Sequence, residues 1–184
     1  MADFRNGMCI RFNNDIYQVV EFLHVKPGKG AAFIRTKLKS VKTGKVLDNT
    51  FPSNAKVEEV RVERRQYQYL YHDGDMYNFM NSDTYEQIGI DDRIINNAPL
   101  LLEGMICDIT FDAQTESPLT CDLPATTVQE VTYTEPGLKG DTATNALKPC
   151  TVESGAKIMV PLFINTGEKI KINTVDNSYI ERAK

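Results

Sequence analysis

Tryptophan is absent and histidine occurs only twice, at His24 and His72. Two imidazoles leave little material for a Ser-His or Cys-His nucleophile pair. The four cysteines, Cys9, Cys107, Cys121 and Cys150, form no C-x-x-C. Neither structural zinc nor a disulfide framework is therefore expected, and Cys9 and Cys107, set among apolar residues, read as small buried thiols. The phosphate-cradling G-x-x-x-x-G-K-[ST] is missing, since Ser154-Gly155-Ala156-Lys157 lacks the upstream glycine. So are G-x-G-x-x-G, H-E-x-x-H and G-x-S-x-G. The pair Asp91-Asp92 reads better as the first turn of a helix than as an acid–base couple. No stretch approaches the ~20 apolar residues of a membrane span, and the start M-A-D-F-R-N-G-M-C-I-R has no signal-peptide core. These absences point to a cytoplasmic protein that holds no metal or cofactor and whose work is binding rather than catalysis.

What is present is an ordinary globular composition, 41% hydrophobic and 25% charged. The net charge of −4 conceals an uneven distribution. Residues 1–62 carry 11 Lys+Arg against 6 Asp+Glu, residues 63–127 carry 3 against 12, and residues 128–184 carry 7 against 7. A basic first third suggests a polyanionic partner at that end, while the acidic middle opposes non-specific coating of nucleic acid.

Turn chemistry divides almost the whole chain into short strands. Residues 10–12, 16–25, 31–39, 46–51 and 56–62 form a first series, interrupted by Asn13-Asn14-Asp15, Thr43-Gly44 and Pro52-Ser53-Asn54. A second series starts near Gln66 and turns at Asp73-Gly74; its stretch 91–102 has the best helical character in the chain, with acidic residues first and Gly104 beyond its end. A third series runs from Val128, with turns at Pro136-Gly137, Lys139-Gly140-Asp141, Gly167-Glu168 and Asp176-Asn177. The fold class expected is mainly β, as three small barrels over residues 1–63, 64–127 and 128–184.

Within the first series, Lys26-Pro27-Gly28-Lys29-Gly30 lies between two apolar runs. Pro27 suits the second position of a type II turn and Gly28 the third, where φ is positive. Lys29 would then be a single uncrowded cation at the end of a β arm. A turn lysine is more often a merely solvated one, so the five residues alone do not assign a function.

Three stretches together resemble the elongation factor P family of bacteria, relatives of eukaryotic and archaeal initiation factor 5A. They are Val25-Lys26-Pro27-Gly28-Lys29-Gly30 with Ala32-Phe33; Pro136-Gly137-Leu138-Lys139-Gly140-Asp141-Thr142-Ala143-Thr144-Asn145 with Lys148-Pro149; and Val160-Pro161-Leu162-Phe163-Ile164, Gly167, Ile170-Lys171-Ile172-Asn173-Thr174 and Tyr179-Ile180-Glu181-Arg182. One departure is Cys150, where the family usually has alanine. The resemblance implies an SH3-like or KOW-like first barrel and two OB-fold barrels in an elongated, tRNA-like L. It implies binding to both ribosomal subunits between the peptidyl and exit tRNA sites, and promotion of peptide bond formation at consecutive prolines. By the same resemblance Pro27, Gly28, Lys29 and Gly30 meet the CCA end of peptidyl-tRNA, and Lys29 is the candidate for a post-translational extension by a lysine-modifying enzyme. Gly140, Asp141, Thr142, Ala143, Thr144 and Asn145 would face the small subunit and the exit-site codon. Arg35, Lys37, Lys39 and Lys42 are the candidates for RNA phosphate contact, and a monomer is expected.

Two other readings stand beside this one. The first is an OB-fold module for single-stranded RNA, with Tyr67, Tyr69, Tyr71, Tyr77 and Phe79 as a stacking platform, although alternating aromatics on strands are more often core and cross-strand pairs. The second is the elongation factor P-like paralogue, whose tip generally differs from P-G-K-G.

Overall fold

The structure, a computed structural model, describes residues 4–137 and 146–183. Among the described residues the regular secondary structure is almost all strand, and the chain divides into two compact units. One consists of Met1–Arg65 with Ile109–Thr120; the other consists of Gln66–Asp108 with Cys121–Lys184.

In the first unit β1 (Cys9–Phe12), β2 (Asp15–Val25), β3 (Phe33–Ser40), β4 (Val46–Pro52) and β5 (Glu58–Val60) form a sheet of order β4-β3-β2-β1-β5. Phe12 pairs with Asp15, so Asn13 and Asn14 alone make the first turn. Both have positive φ, 49° and 60°, as the hairpin turn matching the strand twist requires. Alternation along β3 is complete: Ile34, Thr36, Leu38 and Ser40 are buried and Arg35, Lys37 and Lys39 are exposed. Ile34 and Leu38 join Phe4, Ile10, Val19 and Phe51 in the core. Each such fully buried side chain contributes about 1.5–3 kcal/mol relative to exposure. Phe12 meets Tyr17 and Phe51 in T-shaped pairs at centroid distances of 5.9 and 5.4 Å, a preferred aromatic arrangement. Leu119 packs with Cys9, Ile16 and Val60 in a second, smaller cluster of this unit.

β6 (Val62–Asp73), β7 (Met76–Asn81), β8 (Gln87–Asp91), β9 (Ile95–Asn96), β10 (Ile106–Asp112) and β11 (Ser117–Asp122) form a sheet of order β8-β7-β6-β10-β11-β9. The division between the units falls within β6, β10 and β11. Asp73 pairs with Met76, which confirms a tight turn at Gly74 and Asp75.

The helical expectation for residues 91–102 needs correction. The stretch holds two isolated 3-10 turns, Asp92–Ile94 and Ala98–Leu100, separated by β9. Asn97 between them is left-handed (φ 61°, ψ 47°), Ile94 and Ile95 are stiff at χ1, and Pro99 has no amide to donate. Asp91 does cap the first turn, accepting from the Arg93 amide at 3.0 Å.

β12 (Thr126–Thr134), β13 (Leu147–Val152), β14 (Lys157–Pro161), β15 (Lys169–Asn173) and β16 (Ser178–Arg182) form the third sheet, of order β14-β13-β12-β15-β16. Contacts between β14 and β16 curl it towards closure. Its core holds Val131, Cys150, Val152, Ile158, Val160, Ile164, Ile170 and Ile172, and Leu100 of the second 3-10 turn is buried in the same cluster.

Candidate functional site

The arm that carries Lys29 is a three-strand structure to its end. β2 and β3 pair continuously to Val25–Phe33, with a bulge near Val20, and β3 pairs with β4 as far as Phe33–Pro52. The Ser53 amide then donates to the Ala32 carbonyl at 3.1 Å, tying down the returning strand just before it starts. Between the last paired residues lie 26–32, of which 26–31 are exposed.

The turn differs from the type II expectation. Gly28 does not have positive φ; Gly30 does, at 120°. The reversal is spread over seven residues rather than forced through two, so no strain falls on Gly28, and the left-handed step is taken at Gly30. There an added Cβ would lie 3.6 Å from Pro27 Cγ, so the Pro27 ring sits over Gly30, whereas at Gly28 nothing lies within 4 Å. Lys29 is exposed between them and has no hydrogen bond or ion pair among the described residues.

Arg35, Lys37 and Lys39 share the outer face of β3, below the tip, and Lys42 is exposed in the following turn. They are not equivalent. Lys37 Nζ lies 3.1 Å from Glu21, its neighbour across β2, and Asp48 is its partner across β4. These carboxylates push the Lys37 pKa up, with the Glu21 hydrogen bond the larger cause. Arg35 lies 5.6 Å over the Phe33 ring, and its register partners Leu23 and Thr50 are uncharged. Lys39 faces Gln18 and Val46.

Gly140, Asp141, Thr142, Ala143, Thr144 and Asn145 lie outside the described residues. The segments that lead to and from them are described. Lys148, on the inner face of β13, is 6% exposed, and its Nζ donates to the Glu135 carbonyl at 2.7 Å. Gly137 approaches the backbone of Leu162 so closely that a Cβ would lie 2.8 Å from the Leu162 oxygen. The sequence reading missed Lys148 as a buried residue, because a lysine before a proline carries no local signal of burial.

The aromatic platform resolves mostly into core. Tyr67, Tyr69 and Phe79 are buried, and Tyr69 packs against Phe79 at 5.3 Å. Tyr77 stacks on His72 at 4.2 Å, and Tyr71 alone of the five is largely exposed. All four cysteines are buried free thiols. Cys121 is pushed up by the Cys107 thiol beside it and by burial, and burial also pushes up Cys9 and Cys150. A thiol so held is a poor nucleophile at neutral pH. Among the described residues no group of three His, Cys, Asp or Glu could hold a metal ion, and no helix is long and apolar enough to cross a membrane.

Three family models match the chain in order: the elongation factor P KOW-like domain over residues 1–57, the elongation factor P OB domain over 62–116, and the elongation factor P C-terminal domain over 128–182. Elongation factor P of Flavobacterium psychrophilum is 58% identical over 183 residues, covering 100% of this chain and 98% of the relative. The chain belongs to the elongation factor P family. Elongation factor P 1 of Porphyromonas gingivalis is also 58% identical, over 100% of this chain and 97% of its own, and elongation factor P of Bacteroides fragilis is 56% identical over 99% and 97%. Among solved structures, an initiation factor 5A from Methanococcus jannaschii is similar over 65% of this chain and 91% of its own, with 20% identity and a TM-score of 0.45. A family of translation factors implies the ribosome as partner, and the KOW-like and OB assignments agree with the barrel-like sheets.

Proposed function

We propose that this chain binds the ribosome between the peptidyl and exit tRNA sites and speeds peptide bond formation at consecutive prolines, with Lys29 at the CCA end of peptidyl-tRNA. In this reading residues 1–63, 64–127 and 128–184 are the three working domains. Residues 140–145 meet the small subunit and exit-site codon, and a lysine-modifying enzyme extends the Lys29 amine.

The observation that supports this most is the exposure of Lys29 at the end of an arm braced by β2, β3 and β4, with no partner of its own among the described residues. Proline's ring restricts the backbone and its nitrogen, so reactive geometry is rarely sampled. Correct placement of reactants is worth about 7–11 kcal/mol in favourable model systems. A factor acting by placement needs a rigid arm, a cation and reach; it needs no acid or base of its own.

A photoreactive side chain introduced in place of Lys29 tests the placement. On ribosomes stalled at a Pro-Pro sequence it should label the terminal CCA of the peptidyl-tRNA. Labelling confined to ribosomal protein would overturn the reading.

A further inference from the structure

Lys29 stands on a loop. Residues 26–32 lie between the last paired residues of β2 and β3, and 26–31 are exposed. A loop of that length has many conformations open to it, and groups on loops are held less closely than groups on strands. A lysine that acts by placement therefore needs its loop narrowed from outside.

The first sheet supplies one such tie. Among the described residues, one main-chain hydrogen bond outside the strand ladders reaches 26–32, from the Ser53 amide to the Ala32 carbonyl at 3.1 Å. Ala32 is only three residues from Lys29. Ser53 is itself held from both sides. Phe51, two residues before it, is buried against Phe4 and Phe12 at centroid distances of 5.2 and 5.4 Å. Ala55, two residues after it, packs on the same core, and its amide donates to the Pro52 carbonyl at 2.9 Å. That bond closes a turn over residues 52–55 with Ser53 in second place. The donor thus belongs to the core and the acceptor to the loop. Inside the loop, the Pro27 ring over Gly30 narrows the remaining freedom.

We infer that Ser53 is a positioning residue for Lys29: its main-chain amide passes the fixed position of the core, by way of the end of β4, to the loop that carries the lysine. This rests on the reading of Lys29 as the group at the CCA end of peptidyl-tRNA. It adds that the β2–β3 hairpin does not hold the tip by itself, and that the Ser53 N–H matters while its hydroxyl does not.

The test measures Pro-Pro-Pro synthesis over a range of protein concentrations, which gives a maximal rate and a concentration for half effect. Ser53→Pro removes the N–H. Neither Ser53 nor Asn54 has positive φ, and proline suits the second position of such a turn, so the turn should survive. Ser53→Ala keeps the N–H. Ser53→Pro should lower the maximal rate about fivefold, the size of one net main-chain hydrogen bond. It should leave the concentration for half effect unchanged. NMR relaxation should show lower amide order parameters at residues 28–32 but not at Ile34 or Leu38. Ser53→Ala should match the unaltered protein in all three. Lys29→Ala, run alongside, separates the two levels. If it accelerates fully, the reading of Lys29 fails and the role of Ser53 with it. If Lys29→Ala is inactive while Ser53→Pro keeps the full maximal rate, only the role of Ser53 is overturned. An equal loss in Ser53→Ala also overturns it, because the hydroxyl would then be the active part. So does a raised concentration for half effect, or order parameters lowered throughout the sheet, since either marks a binding or folding defect. Should Ser53→Pro not fold, the α-hydroxy analogue of alanine at position 53 replaces the N–H with an ester oxygen. It must then show the loss of maximal rate, and an unaltered rate overturns the inference.

Discussion

Gln129 Nε2 donates to the Leu100 carbonyl at 2.9 Å, and Gln129 Oε1 accepts from the Ser154 amide at 3.2 Å. One side chain, 1% exposed, thus satisfies main-chain groups from the 3-10 turn at Ala98–Leu100 and from the turn after β13. Asn97 makes a parallel connection, donating through Nδ2 to the Thr174 and Val175 carbonyls and accepting from Asn177.

Gln129→Leu keeps much of the volume but leaves a buried carbonyl and a partly buried amide unpaired. Such groups cost about 1–3 kcal/mol each. Denaturant unfolding should show a stability loss in that range for at least one of them. A change under about 0.5 kcal/mol, typical of plain surface sites, would show that the bonds are replaced at no cost.

Asp112 governs part of the acid response. Its Oδ1 accepts from the Gln114 amide at 2.9 Å and the Thr115 amide at 3.4 Å, and Oδ2 lies 3.4 Å from Arg11. The Gln114 amide is the largest cause holding the carboxyl below its ordinary 3.8, with Thr115 and Arg11 adding to it and burial opposing. A carboxyl lowered on folding stabilises at every pH above its unfolded value, and that share is lost as pH falls through the folded value. Asp112→Ala should therefore lower stability at neutral pH and flatten the acid limb of the stability–pH curve below about pH 4. An acid limb of unchanged slope would contradict the assignment.

How far the residues alone reveal this architecture differs from place to place. The alternation of β3 is plain in Ile34 to Ser40, because one face is apolar or small and the other basic. The turn at Asn13-Asn14 was equally readable. The stretch 91–102 was not, because its acidic start mimics a helix while Asn97 and Pro99 act only once the chain must reverse around Leu100. Likewise β13 contains Pro149 and β11 contains Pro118, residues with no amide for the strand ladder and so weak signals of strand. The choice of Gly30 over Gly28 for the left-handed step depends on how far β2 and β3 stay paired, which Pro27-Gly28 does not encode. Gln129 and Lys148 act on carbonyls brought near by folding, so nothing adjacent in the chain announces either.

The basic face of β3 should contribute unequally to ribosome binding. Phosphate contacts make affinity fall with salt, and each one lost flattens the slope of log affinity against log salt by about 1. Arg35→Glu and Lys39→Glu should each weaken binding and flatten that slope. Lys37→Glu should do so less, since Glu21 and Asp48 already offset its charge. Equal effects at all three positions, or an unchanged slope, would contradict this account of the face.

The most direct measurement is the rate of Pro-Pro-Pro synthesis with Lys29→Ala, at a concentration giving the same ribosome occupancy as the unaltered protein. Lys29 makes no contact among the described residues that folding needs, so the variant should stay within about 0.5 kcal/mol of the original stability. The account predicts that it occupies the ribosome yet fails to speed the proline reporter, while a reporter without proline runs is unaffected. Lys29→Arg, which keeps the charge but loses the extendable amine, should recover the activity only in part. Full acceleration of the proline reporter by Lys29→Ala at matched occupancy would contradict the claim that this lysine positions peptidyl-tRNA.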